Sequence, residues 1–288
     1  MIRLRHEGIR ASIHPLGAEL CQLSSAATGL EYLWSGDPAW WGKFSPVLFP
    51  IVGTLRDDHY QYRGTTYTLP RHGFAREKVF RAETISEAEV LFTLEDDEST
   101  RVVYPFRFVL QLRYLIANGR LTVTYSVFNP DDRPLYFSLG AHPAFRVPLR
   151  EGSSYEDYRL TFNRPETTGR WTLSGGLIRD EAVPFLNNEQ QIMLTTETFA
   201  RDAIVLKNLQ SDYITLQSDR DPHGLRFGIE GWPHLGLWAA PGAPFVCIEP
   251  WQGHADTVSH DGELTRKPGI VCLEPGGEWS KAWWVELF

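Results

Sequence analysis

Sulfur is scarce in this 288-residue chain, which has three cysteines (Cys21, Cys247 and Cys272) and two methionines. Cysteines so few and so widely spaced supply neither a disulfide framework nor a zinc ribbon. Neither Cys-x-x-Cys nor His-Glu-x-x-His spacing occurs, so a zinc site would need scattered ligands. Also missing are a phosphate-cradling glycine loop of P-loop or Rossmann type and a Gly-x-Ser-x-Gly elbow. No apolar run approaches the roughly 20 residues that span a bilayer. Met1 to Arg10 holds His6, Glu7 and three arginines, and so lacks the apolar centre of a signal peptide. There is no basic excess: Lys and Arg number 28 against 36 Asp and Glu, a net charge of −8. That balance argues against a nucleic-acid backbone as partner. The expectation is a soluble, cytoplasmic protein with no membrane and no nucleic-acid partner.

What the chain does have is an ordinary globular balance, 42% hydrophobic and 22% charged, with 10 Trp, 11 Tyr and 16 Phe. Its apolar residues recur with a period of two. In Leu121 to Phe128, Leu121, Val123, Tyr125 and Val127 share one face while Thr122, Thr124 and Ser126 take the other, as in a half-buried strand. Phe106 to Ile116 repeats the pattern, and Asn118-Gly119 between the two runs suits the positive φ angles of a two-residue hairpin turn. Further short runs lie at Val90 to Leu94, Ala203 to Leu206, Tyr213 to Gln217 and Leu225 to Ile229. Turn residues such as Asn129-Pro130 and Ser174-Gly175-Gly176 fall between runs. Helical patterning is confined to brief candidates such as Asp37 to Gly42, with Asp37 as cap and Pro38 in the first turn. With no βαβ rhythm and no linker, the expectation is an all-β protein, a large antiparallel β-sandwich in one domain over residues 1–288.

Three segments carry reactive residues in settings unusual for packing. In Arg71-His72-Gly73-Phe74-Ala75-Arg76, glycine and flanking arginines either let His72 project into a cleft or make a solvated basic turn. In Leu139-Gly140-Ala141-His142-Pro143-Ala144-Phe145, the proline holds His142 in extended backbone and small neighbours leave room around its ring. A hydrogen-bonded core histidine fits those residues as well. In Phe245-Val246-Cys247-Ile248-Glu249-Pro250-Trp251, a carboxylate sits in an apolar strand, where burial is costly unless it is functional or ion-paired. Arg56 and Asp202 are weaker candidates at strand ends. Cys247, between Val246 and Ile248, reads as an inert buried thiol. His254-Ala255-Asp256 reads as a polar loop rather than a metal site.

These segments, with Gly17-Ala18-Glu19-Leu20 before them and Pro275-Gly276-Gly277-Glu278-Trp279 after, occur in an order that resembles the aldose 1-epimerase (mutarotase) family, and within it the LacX-like branch. The resemblance covers essentially the whole chain. It implies a galactose mutarotase-like β-supersandwich, an isomerase working without metal or organic cofactor, and a small-molecule sugar as the partner of a monomer or homodimer. It also implies roles: His142 as general acid, Glu249 as general base, His72 holding sugar hydroxyls, Arg56 binding substrate and Asp202 binding hydroxyls. Trp251 and Phe74 could offer apolar faces to a sugar ring. A carboxylate base and an imidazole acid suit mutarotation, which removes the anomeric proton while protonating the ring oxygen.

The expected substrate is a free aldohexose such as galactose or glucose. A related branch acts on hexose 6-phosphates and carries a similar His-Gly-Phe-Ala-Arg segment, which would give Arg71 and Arg76 a phosphate to bind. A non-catalytic sugar-binding protein on the same fold is the alternative of another class. Glycoside hydrolysis is disfavoured, because it usually needs two carboxylates and only Glu249 stands in a motif.

Overall fold

The alternation read in the sequence becomes the hairpin Val109–Ala117 and Arg120–Phe128, paired antiparallel around Asn118 (φ 55°) and Gly119 (φ 71°). Leu121, Val123, Tyr125 and Val127 are buried, as are Leu110, Leu112, Tyr114 and Ile116. The first strand begins at Val109 rather than Phe106; Phe106 and Phe108 are buried in the extended segment leading into it. The computed structural model describes all 288 residues, Met1 to Phe288.

Every ladder is antiparallel, and fifteen strands join into one continuous sheet. Its path crosses Val47–Leu48, Leu139–Ala141, Phe245–Gln252, His234–Trp238, Ile204–Lys207 and Tyr158–Ser174, then Tyr213–Ser218, Leu225–Gly228 and Glu278–Leu287, and ends through the hairpin above at Glu89–Glu95 and Arg81–Ser86. A second sheet of three strands, Ile2–His6, Ile9–His14 and Glu19–Ser25, and two two-stranded ladders complete the all-β architecture. A cluster of 68 buried apolar residues forms the main core. No helix is long and apolar enough to cross a membrane.

Two local expectations are corrected. Asp37 to Gly42 is a single turn, not a helix: the Asp37 side chain caps Ala39 N–H, and its carbonyl accepts from Trp40 and Trp41 before the chain turns away. The one α-helix is Glu98–Val103, closed by Asp97 and Thr100, each of whose side chains bonds the other's backbone N–H. Ser174-Gly175-Gly176 does mark a turn, but it joins two seventeen-residue strands, Tyr158–Ser174 and Leu177–Met193. The hairpin they form reaches, through Leu173, Gly176 and Ile178, to the wall of the main cavity.

Candidate active site

The floor of the site is the strand Phe245–Gln252, flanked by Leu139–Ala141 and Ala144–Arg146 on one edge and by His234–Trp238 on the other. It continues through Pro250 and is buried as far as Trp251. Side chains alternate across a strand, so Phe245, Cys247, Glu249 and Trp251 share one face. Of these, Glu249 and Trp251 line a cavity of about 310 Å³. That volume is at the lower end of the roughly 300–1,000 Å³ typical of small-molecule sites.

Glycines on both neighbouring strands shape the platform. A Cβ on Gly140 would come within 2.6 Å of the Trp251 ring, and one on Gly236 within 2.3 Å. The indole therefore lies across these two strands only because each supplies a bare backbone there.

His142 sits where His142-Pro143 interrupts the two short strands that pair with Phe245–Gln252, opposite Glu249 in the register. Its Nε2 is 3.3 Å from Glu249 Oε2, and both side chains are nearly inaccessible. Trp41 stacks on the imidazole at 4.9 Å, and Trp238 meets it edge-on at 5.8 Å. His142 Nδ1 and Trp251 Nε1 are buried without partners.

His72 approaches from another segment, its ring 5.7 Å from that of His142. Its backbone N–H donates to Gly53 O, and its Nδ1 accepts from Gly53 N–H at 3.1 Å. A neutral His72 consequently carries its proton on Nε2. The turn requires left-handed backbone at His72 and Gly73, and a Cβ on Gly73 would fall 2.3 Å from Phe49 O. Gly17 also packs closely on this segment, where a Cβ would fall 2.8 Å from Arg76 O, and Glu19 accepts from Phe44 and Ser45 N–H.

Burial governs the charge states. It pushes His142 down to about 3, with Arg76 and Arg71 adding repulsion, and it holds Glu249 well above the carboxylate range, with Asp202 adding to the rise. His72 is likewise held well below its ordinary value by burial. At 3.3 Å the buried pair titrates as one coupled unit, and burial disfavours charge on each member.

His72, His142, Glu249, Asp202, Arg76 and Trp251 all line this cavity. Arg71 joins them, donating from Nε to Thr54 Oγ1 at 2.8 Å while its carbonyl accepts from Arg76. Arg56 is not on the wall: its guanidinium donates to Val258 O and its backbone N–H to Asp256, which ties it into the loop behind the rim. Phe74 is not on the wall either, since it packs into the main core against Phe49, Tyr104 and Phe108.

His254-Ala255-Asp256 is a polar loop, and a buried one. Asp256 is fully buried, bonded to Lys267 Nζ at 2.5 Å, and Ala255 lines the cavity. Sequence reasoning missed Trp41, Trp238, Thr54 and the hairpin residues Leu173 and Ile178, all of which line it.

A family model described as Aldose 1-epimerase matches residues 1–271. Protein LacX of Lactococcus lactis subsp. lactis is 33% identical over 284 residues, covering 95% of each chain. A solved structure of a galactose mutarotase related enzyme from Lactobacillus acidophilus superposes with a TM-score of 0.95 at 33% identity, covering 99% of this chain and 96% of that one. A galactose mutarotase-like protein from Lactobacillus casei gives 0.90 at 31% identity, with both chains fully covered.

Proposed function

The chain belongs to the aldose 1-epimerase family, and we propose that it interconverts the α and β anomers of a free aldohexose such as galactose or glucose. The observation that carries this reading is the buried His142–Glu249 pair, 3.3 Å apart on the floor of a sugar-sized cavity beside a flat tryptophan. The 68-residue core supports treating residues 1–288 as one domain.

The pair's single proton gives the reaction its balance. Burial favours both groups neutral, with the shared proton on Glu249; in the reacting form that proton has moved to His142 Nε2, so Glu249 removes the anomeric hydroxyl proton while His142 protonates the ring oxygen, and the C1–O5 bond breaks. The products are the open-chain aldehyde, a neutral His142 and a protonated Glu249. Rotation about C1–C2 presents the other carbonyl face, and closure returns both protons to their starting atoms. Nothing is consumed, and the pair holds one proton throughout. Each such acid or base contributes about 10²–10⁴-fold. In this reading His72 Nε2–H and the Asp202 carboxylate hold sugar hydroxyls, and the Trp251 indole offers an apolar face to the ring.

A second reading has one observation in its favour: Arg71 and Arg76 stand on the same wall, and two guanidinium groups suit a hexose 6-phosphate. An NMR anomer-exchange screen of galactose, glucose and their 6-phosphates separates the two. Exchange enhanced for a free aldose supports the proposal. Enhancement confined to the phosphates supports the second reading, and enhancement for none leaves a sugar-binding protein.

A further inference from the structure

Cys247 has no part in the chemistry above, yet it shares the cavity-facing side of Phe245–Gln252 with Glu249. It is opposite Trp238 on one neighbouring strand and Ala144 on the other, and it is fully buried. The ligand atoms of His142, Cys247 and Glu249 all lie within 4.8 Å of one another. One imidazole nitrogen, one sulfur and one carboxylate oxygen converge there, and no positively charged side chain bonds to any of them.

We propose that His142, Cys247 and Glu249 form a binding site for a divalent cation of the zinc class, and that the bound cation blocks sugar turnover. Three points of the geometry carry this. The donor set of nitrogen, sulfur and oxygen is the one zinc prefers. Tetrahedral Zn–N, Zn–O and Zn–S bonds of roughly 2.0–2.3 Å separate ligand atoms by about 3.3–3.8 Å. The His142–Glu249 separation of 3.3 Å already meets this, and the three ligand atoms all lie within 4.8 Å of one another. His142 and Glu249 both line the cavity, so water or a sugar hydroxyl there can complete the shell. Zinc binds the thiolate, the carboxylate and the neutral imidazole, so any proton these three groups carry leaves to solvent as the ion enters. A cation held there occupies both lone pairs that mutarotation needs. Inhibition therefore rests on the anomer-exchange reading, whereas binding does not.

The test keeps the two apart. Co²⁺ is titrated into chelator-treated full-length protein and followed by absorption. Wild type is expected to develop a thiolate-to-cobalt charge-transfer band saturating at one equivalent. Cys272→Ser, which removes the exposed cysteine, is expected to keep the band, and Cys247→Ala to lose it. No band in wild type, or a band that survives Cys247→Ala, would overturn the site. In parallel, one equivalent of Zn²⁺ is expected to lower wild-type exchange at least about tenfold and to leave Cys247→Ala uninhibited. Zn²⁺ inhibition equal in both proteins would also overturn it. If no sugar is turned over, the proposed reaction fails while the cobalt band still decides the site.

Discussion

Two regions of this molecule are dense in aromatic side chains, and they treat their polar atoms in opposite ways. In the core around Phe49, Phe74, Tyr104 and Phe108, rings meet at centroid separations of 5.0–6.2 Å and the hydroxyls are satisfied. Tyr104 donates to Tyr136 O at 2.7 Å and the neighbouring Tyr60 to Val103 O at 2.9 Å. At the cavity, where Trp41 and Trp238 pack on His142, three polar atoms are buried without hydrogen-bond partners: His142 Nδ1, Trp251 Nε1 and Arg76 Nε. An unpaired buried polar atom costs roughly 1–3 kcal/mol. The core has been freed of that cost, whereas the cavity retains it, a cost that the hydroxyls of a sugar would offset under the proposed function.

The sharpest way to break this comparison is to alter one region and read out both properties. His142→Asn is expected to slow anomer exchange at least about 100-fold with little change in the thermal midpoint; a large loss of stability would make His142 a packing residue. Phe108→Ala is expected to show the reverse, losing about 3–5 kcal/mol of stability in denaturant titrations while the folded fraction turns over normally.

Gly236→Ala intrudes a methyl group under Trp251. Overpacking of this kind costs about 1–3 kcal/mol, and the tilted indole is expected to raise KM by about tenfold with a smaller effect on kcat. An unchanged KM would remove Trp251 from the sugar platform.

The smallest effect concerns acid. Burial holds His234 down to about 4 and His254 to about 3. Both are depressed below the unfolded value of about 6.5, so the unfolded chain binds more protons between those limits. Their contribution to stability is complete above about pH 6.5 and is lost as pH falls toward the folded values, so the thermal midpoint should drop by several degrees between about pH 7 and about pH 4.5. A flat midpoint over that interval would show that these imidazoles titrate normally in the fold.

How much of this was legible in the sequence follows from which rules are local. The hairpin at Asn118-Gly119 was, because alternation and turn chemistry act within a few residues. The paired strands Tyr158–Ser174 and Leu177–Met193 were not: Pro165, Gly169 and Pro184 interrupt them, and repeated register shifts destroy the alternation. His72, His142 and Glu249 were visible because each stands in an odd local setting, a histidine beside glycine or proline and a carboxylate in an apolar strand. Trp41 and Trp238 carry no such signal, since only the closure of distant strands places them around His142. Arg56 and Phe74 sit in the segments where a site was expected, but backbone direction turns one toward Val258 and the other into the core. The small helix escaped because its cap pairs Asp97 with Thr100 rather than with the Glu or Gln that usually marks such a start.

The central claim is that a buried His142–Glu249 pair moves the two protons of ring opening and closure. The most direct test is polarimetric relaxation of freshly dissolved α-galactose or α-glucose, in the presence of a chelator, with wild type and Glu249→Gln at equal concentration. The account predicts wild-type relaxation well above the buffer rate and a variant that is at least about 100-fold slower with its thermal midpoint retained. A correctly folded Glu249→Gln that relaxes the sugar as fast as wild type would contradict it.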